Sequence, residues 1–213
     1  LLPSGAENLN YVLYTDESPY KMQREWLDRL PFDIYSVNVH TGAKRLIGRS
    51  YRTAPKWSVN GKWAVMYDPI AQVWNKFDGA TGKVVNISDA IGYPMFMESY
   101  DKPAPAPAYG IAGWTADGNN VFLYDAYDWW KIDLTGERQP ECLTKGYGRK
   151  HGKSIRKMTS NIDKDVFQKD EKVIVSLWDK DTMDEGVYQL DMKGRLRKLM
   201  EGNYVYTIHR FSD

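Results

Sequence analysis

The sequence predicts an all-β fold built from about four four-stranded antiparallel sheets, and three observations predict it. The first is a block of residue types that returns along the chain. One copy carries Trp57, Asn60-Gly61, Tyr67-Asp68, Trp74, Asp78 and Thr81-Gly82; the next carries Trp114, Asp117-Gly118, Tyr124-Asp125, Trp129-Trp130, Asp133 and Thr135-Gly136. Trp57 and Trp114 stand 57 positions apart, and Gly82 and Gly136 stand 54 apart. Weaker copies run from Phe32 to Gly42 and from Val173 to Gly194. The second observation is the strand character within each copy: Lys62 to Tyr67 and Asn120 to Tyr124 are short, apolar and rich in β-formers. The third is the turn chemistry between them. Asn60-Gly61 and Asp117-Gly118 are hairpin signals of the type I′ kind, in which both central residues take positive φ. Thr41-Gly42, Thr81-Gly82, Thr135-Gly136 and Lys193-Gly194 mark a second hairpin in each copy. A repeat of roughly 40–60 residues with several short strands is the signature of β-propeller blades.

Taken in order, the copies place blades at roughly residues 9–48, 55–90, 109–146 and 160–200, within one array spanning 1–213. With strands A to D counted from the inside outward, the Gly turns share one face of the array. Asp68 to Gln72, Asp125 to Asp128 and the long crossings share the opposite face. Two segments break the repeat. Ser18-Pro19 followed by Met22, Trp26, Leu27 and Leu30 reads as an N-cap, a first-turn Pro and a helical stripe; a wide strand–loop–strand excursion is the alternative. The crossing from Asp89 to Tyr109 is long for a loop, and its Met95, Met97 and aromatic content favours a packed, partner-contacting segment over a free linker.

The chain has 213 residues, 8 Trp and 15 Tyr, enough apolar bulk for a sizeable core. Its 29 basic and 28 acidic residues leave a net charge of +1, so electrostatics give no reason to propose nucleic acid or an anionic membrane as partner. No apolar run approaches the roughly 20 residues that span a bilayer. Leu1-Leu2-Pro3 is too short for a signal peptide and lacks a basic flank, and with no initiator Met the chain reads as an excised piece. Cys142 is the single cysteine, which excludes an internal disulfide; a buried strand position is favoured over a reactive thiol.

Gly148 to Ser154 resembles a phosphate loop, but Gly148 leaves three residues before Gly152-Lys153-Ser154 and Gly146 leaves five, where four are needed. The basic stretch Lys145, Arg149, Lys150, Lys153, Arg156 and Lys157 holds only Tyr147 as a stacking aromatic, so it reads as a solvated crossing between blades. His40, His151 and His209 share no ligand spacing with each other or with Cys142, so neither a metal site nor a His-based catalytic dyad is expected, and no cofactor is assigned. The acidic pairs Asp16-Glu17, Asp125/Asp128 and Asp181/Asp184-Glu185 fall at turns, where Asp bonds its own backbone; a substrate-facing rim is the other reading. No Gly-x-Ser-x-Gly elbow exists: Ser50 and Ser154 both lack the second Gly, and no hydrolytic triad can be assembled. No catalytic, binding or metal residue is therefore assigned.

The runs Tyr109 to Thr115, Leu123 to Trp130, Asp133 to Gly136, Leu143 to Lys150 and Asp184 to Asp191, in that order, resemble the non-catalytic β-propeller of bacterial prolyl oligopeptidase family serine peptidases, and among these the secreted peptidases of Bacteroidetes-type bacteria. The resemblance runs from about Tyr11 to Leu199. It implies a propeller of seven or eight blades capping an α/β-hydrolase domain that carries the catalytic Ser, Asp and His and lies outside this chain. It implies a peptide substrate, a periplasmic or extracellular parent protein, and no role for the propeller in bond breaking. The Glu pair that dipeptidyl-peptidase relatives present to a substrate amino terminus has no match here. The alternative is a stand-alone propeller that binds a protein or glycan without catalysis. An open arc of blades would expose faces at Tyr11, Val12, Leu13 and at Val173, Ile174, Val175 and invite self-association.

Overall fold

The computed structural model describes residues 10–27, 29–158, 165–202 and 206. The fold is all-β: four antiparallel sheets of propeller-blade type, divided between two compact units, Leu1–Ala108 and Tyr109–Asp213.

In the first unit, one sheet is formed by β1 (Tyr11–Asp16), β2 (Phe32–Asn38) and β3 (Lys44–Tyr51), and another by β4 (Lys56–Trp57), β5 (Trp63–Asp68), β6 (Val73–Asp78) and β7 (Val84–Asn86). The first has three strands rather than the expected four. Its β2–β3 turn at Asn38–Gly42 matches the C–D turn of the other sheets, so the innermost place has no strand among the described residues. Leu13, Phe32, Ile34 and Tyr51 pack against Ala64, Met66 and Phe77 of the second sheet. Leu13 thus faces its own unit instead of being exposed.

The insertion before β2 is a short 3-10 helix over Ser18–Gln23, with Pro19 in its first turn; Glu17, not Ser18, takes the N-cap position. The apolar stripe does not dock it, because Met22 and Trp26 are more than three-quarters exposed. Tyr20 does so instead, its hydroxyl donating to the buried Asp33 at 2.5 Å. The crossing beyond β7 is packed through the buried Ile91 and Met95 and through Tyr67, whose hydroxyl donates to the Ala106 carbonyl; Met97 stays exposed.

In the second unit, β8 (Ile111–Thr115), β9 (Asn120–Tyr124), β10 (Trp129–Asp133) and β11 (Glu141–Cys142) form one sheet; β12 (Lys153–Lys157), β14 (Lys172–Asp179), β15 (Glu185–Asp191) and β16 (Leu196–Gly202) form the other. A fifth strand, β13 (Val166–Phe167), lies parallel to β8 on its inner side. Gly113 makes room for it: a Cβ there would come within 2.6 Å of the Asp165 carbonyl oxygen and of the Phe167 ring. The last sheet starts at Lys153, ahead of residue 160. The basic stretch is therefore not a solvated crossing. Tyr147–Lys150 form a one-turn helix, and Lys153–Lys157 form the innermost strand, with Ile155 fully buried. The core joins Ala112, Phe122, Trp129 and Phe167 to Ile155, Val173, Val175 and Leu177, so Val173 and Val175 also face inward.

The turns repeat in chemistry as well as place. In each sheet one strand ends in, or is followed at once by, an aspartate whose carboxylate accepts the N–H two residues on: Asp16 (β1) from Ser18, Asp68 (β5) from Ile70, Asp125 (after β9) from Tyr127 and Asp179 (β14) from Asp181. Such Asx turns let a side chain stand in for the missing strand partner. The A–B hairpins differ from the type I′ expectation. Gly61 and Gly118 donate to Ser58 and Thr115 at 2.9 and 2.8 Å, and positive φ is confined to the glycines. Each is a β-turn followed by a left-handed Gly, which an Asn-Gly or Asp-Gly pair serves equally well.

Candidate functional site

The richest cluster of ionisable groups surrounds the β9–β10 turn. Asp125 and Asp128 are buried there, and both do more than close a turn. One oxygen of Asp125 accepts the Tyr127 and Asp128 N–H groups; the other accepts the Trp130 indole at 3.0 Å and the Arg149 guanidinium at 3.0 Å. Asp128 accepts the Thr144 hydroxyl at 2.6 Å and the backbone N–H groups of Gly148 and Arg149 at 2.9 and 3.0 Å. The short helix after β11 is thus held by its own N–H groups on a carboxylate of the preceding sheet. Gly148 has to be Gly, since a Cβ would meet the Tyr127 and Lys153 carbonyl oxygens at 2.6 and 2.7 Å.

Arg156 closes the cluster from β12. Its guanidinium donates to the carbonyls of Asp125, Ala126 and Ile155 and lies 4.7 Å from the Tyr124 ring and 5.4 Å from that of Tyr109. Burial pulls its pKa below the ordinary arginine value, yet three carbonyls and two ring faces favour the cation. Arg149 and Lys180 lie over Tyr127 at 5.1 and 4.5 Å, and Lys157 pairs with Asp165. This arrangement clasps two sheets together. Its charges are engaged by packing partners, which leaves little for a reacting group.

The other candidates give no nucleophile. Burial pushes the Cys142 thiol up, outweighing the Gly146 N–H that its sulfur accepts at 3.2 Å, which is the opposite of an activated thiolate. Ser154 lies buried on β12, and Ser50 sits at positive φ with its N–H on Asp33. His40 pairs with Asn10, and His151 with the Tyr147 carbonyl; neither hydrogen-bonds a serine among the described residues. His209 lies outside those residues. Among the described residues no group of three His, Cys, Asp or Glu side chains could hold a metal, and no helix is long and apolar enough to cross a membrane.

An open cavity lies in the second unit, on the side of the Gly turns. It measures about 460 Å³ and lies between the β8–β9 turn and the β15–β16 turn. The sequence carries no local signal for it, because its walls come from five separated segments between Thr115 and Lys193.

No family model and no curated protein sequence matches the chain. Solved structures similar to it include the β-propeller domain of the Trilobed protease from Pyrococcus furiosus, reported to have an open velcro topology; the match covers 92% of this chain and 55% of that one, at 13% identity and a TM-score of 0.46. TolB from Acinetobacter baumannii matches over 91% of this chain and 52% of its own, at 13% identity and a TM-score of 0.40. Pyrococcus horikoshii acylaminoacyl peptidase matches over 92% and 31%, at 13% identity and a TM-score of 0.42. The chain spans about half the length of the first two and under a third of the last. Likenesses of this size assign neither family nor activity to this chain; the blade-type fold stands on the sheets themselves.

Proposed function

We propose that this chain is the non-catalytic propeller portion of a prolyl oligopeptidase family serine peptidase, shaping and gating substrate access to an α/β-hydrolase domain carried elsewhere. One observation carries the reading: blade-type sheets in which Asp125, Asp128, Arg149, Arg156 and Cys142 are absorbed into turns and packing, with no activated nucleophile among the described residues. Such a body can exclude folded proteins and offer rim contacts while bond breaking occurs on another domain. The partners are then that hydrolase domain and a peptide substrate, the compartment is periplasmic or extracellular, and copies of the isolated chain associate with one another.

The test is hydrolysis of a Pro- or Ala-linked chromogenic dipeptide by the purified chain. None is expected. Turnover that survives Ser50→Ala and Ser154→Ala overturns the reading. A downstream coding sequence with Gly-x-Ser-x-Gly followed by Asp and His within roughly 300 residues supports it. The cavity in the second unit favours a second reading, a stand-alone propeller that binds a ligand without catalysis.

A further inference from the structure

We propose that the cavity between the third and fourth sheets is a binding site for a small amphipathic oxyanion, one carboxylate or phosphate group on an apolar body. The inference is independent of the peptidase reading, since it needs only the second unit's own residues.

The floor is apolar. Phe122 and Phe167 are 1% and 3% exposed, and their rings meet edge to face at 5.7 Å between centroids. Met192 and the Ala116 methyl extend this surface. The walls are cationic: Lys131 comes from β10, Arg138 from the loop after it, Lys169 from the turn after β13, and Lys193 from the β15–β16 turn. Asp117 is the one acid in the lining. Its carboxylate is already engaged by the Thr115 hydroxyl at 2.5 Å and the Asn119 N–H at 2.9 Å, and these bonds hold its pKa below the usual carboxylate range.

Among the described residues, no carboxylate forms an ion pair with the side chains of Arg138, Lys169 or Lys193. Their backbones, by contrast, are fixed. The Arg138 N–H donates to Asp133 at 3.0 Å and the Lys193 N–H to Asp191 at 3.0 Å, so both head groups extend from pinned turns. Four like charges line one concave, partly apolar surface, and an anion placed among them is attracted by all of them. Arg138 supplies a planar fork that matches two oxygens, and the lysines add point charges. Asn120 and Gln168 add side-chain amides to the lining beside them. A volume of about 460 Å³ suits a ligand of amino-acid to dipeptide size.

Calorimetric titration of the whole chain with N-acetylphenylalanine, phenyl phosphate and the neutral N-acetylphenylalanine amide tests the proposal. At least one anion should bind, more weakly as salt is raised, and the amide should bind about tenfold less tightly or not at all. The tighter of the two anions identifies the head group. Arg138→Glu with Lys193→Glu should weaken anion binding about tenfold or more, and Arg138→Gln with Lys193→Gln by a smaller factor; both pairs sit on exposed turns and should leave the unfolding midpoint unchanged. The proposal falls if neither anion binds, if acid and amide bind alike, or if a folded charge-reversed variant binds as tightly as the parent.

Discussion

The indole N–H of Trp129 donates to the carbonyl oxygen of Ile155 at 3.1 Å, which hooks the most buried ring of the third sheet onto the first strand of the fourth. The same carbonyl receives the Arg156 guanidinium at 2.8 Å. One backbone oxygen is thereby shared between an aromatic side chain of one sheet and a cation of the next.

Trp129→Phe should remove the shared donor and leave a void beside Phe122 and Phe167. The expected loss is about 2–3 kcal/mol, the sum of one buried hydrogen bond and a partly filled cavity. Urea unfolding of the two proteins gives the difference directly, and an unchanged midpoint would show that Arg156 alone satisfies Ile155.

Asp128→Asn tests the clasp itself. Three donors point at the two oxygens of Asp128, and an amide NH₂ must face at least one of them. The cost should be about 2–4 kcal/mol. In hydrogen exchange, Gly148 and Arg149 should lose protection while β14 and β15 keep theirs; retained protection at Gly148 would mean the helix is held by something other than Asp128.

Gly194→Ala and Gly42→Ala separate strain from collision. Both glycines have positive φ, +80 and +69, but a Cβ at Gly194 would lie 1.8 Å from the Leu143 carbonyl oxygen, and nothing lies within 4 Å of one at Gly42. Gly42→Ala should cost about 1–2 kcal/mol through backbone conformation alone. Gly194→Ala should cost about 3 kcal/mol or more, because the β15–β16 turn must withdraw from the third sheet. Equal losses in thermal unfolding would contradict the contact.

Glu201 gives a pH-dependent contribution of definite sign. Lys153 and Lys198 hydrogen-bond its carboxylate, at 2.6 and 3.1 Å, and pull its pKa from 4.5 down to about 2. A depressed carboxylate stabilises the folded chain above its unfolded pKa, and the contribution is lost as pH falls from about 4.5 toward 2. Glu201→Gln should therefore be less stable than the parent at neutral pH and converge with it below about pH 2. A stability gap that stays constant across that window would exclude the linkage.

How far the chain could be read in advance depends on how local each feature is. Trp57 pairs with Ala64 and Trp114 with Val121, seven positions on in both cases, so the two hairpins share one register. That register is set by short turns and by period-two patterning, which sequence displays openly. The aspartates of the Asx turns were legible for the same reason. Asp128 was not, because Gly148 and Arg149 lie 20 and 21 positions away and bond through the backbone, which has no side-chain signature. Nor was β13, whose two residues, Val166 and Phe167, are too few to show a period. The stripe of Met22 and Trp26 did not hold because the 3-10 helix ends at Gln23, so the two residues never share a helical face. The cavity needed the pairing of the sheets before any wall existed.

The strand β13 has a consequence for how an extended peptide could meet this unit. An unpaired strand edge is a template to which a peptide can add by backbone hydrogen bonding. Along Trp114 and Thr115 that place is taken, since the chain has donated a segment of itself there, with the Trp114 N–H on the Asp165 carbonyl and the Ala116 N–H on the Phe167 carbonyl. The inner rim of the third sheet is self-complemented. At Trp114 and Thr115 a ligand must be read by side chains, not recruited as another strand.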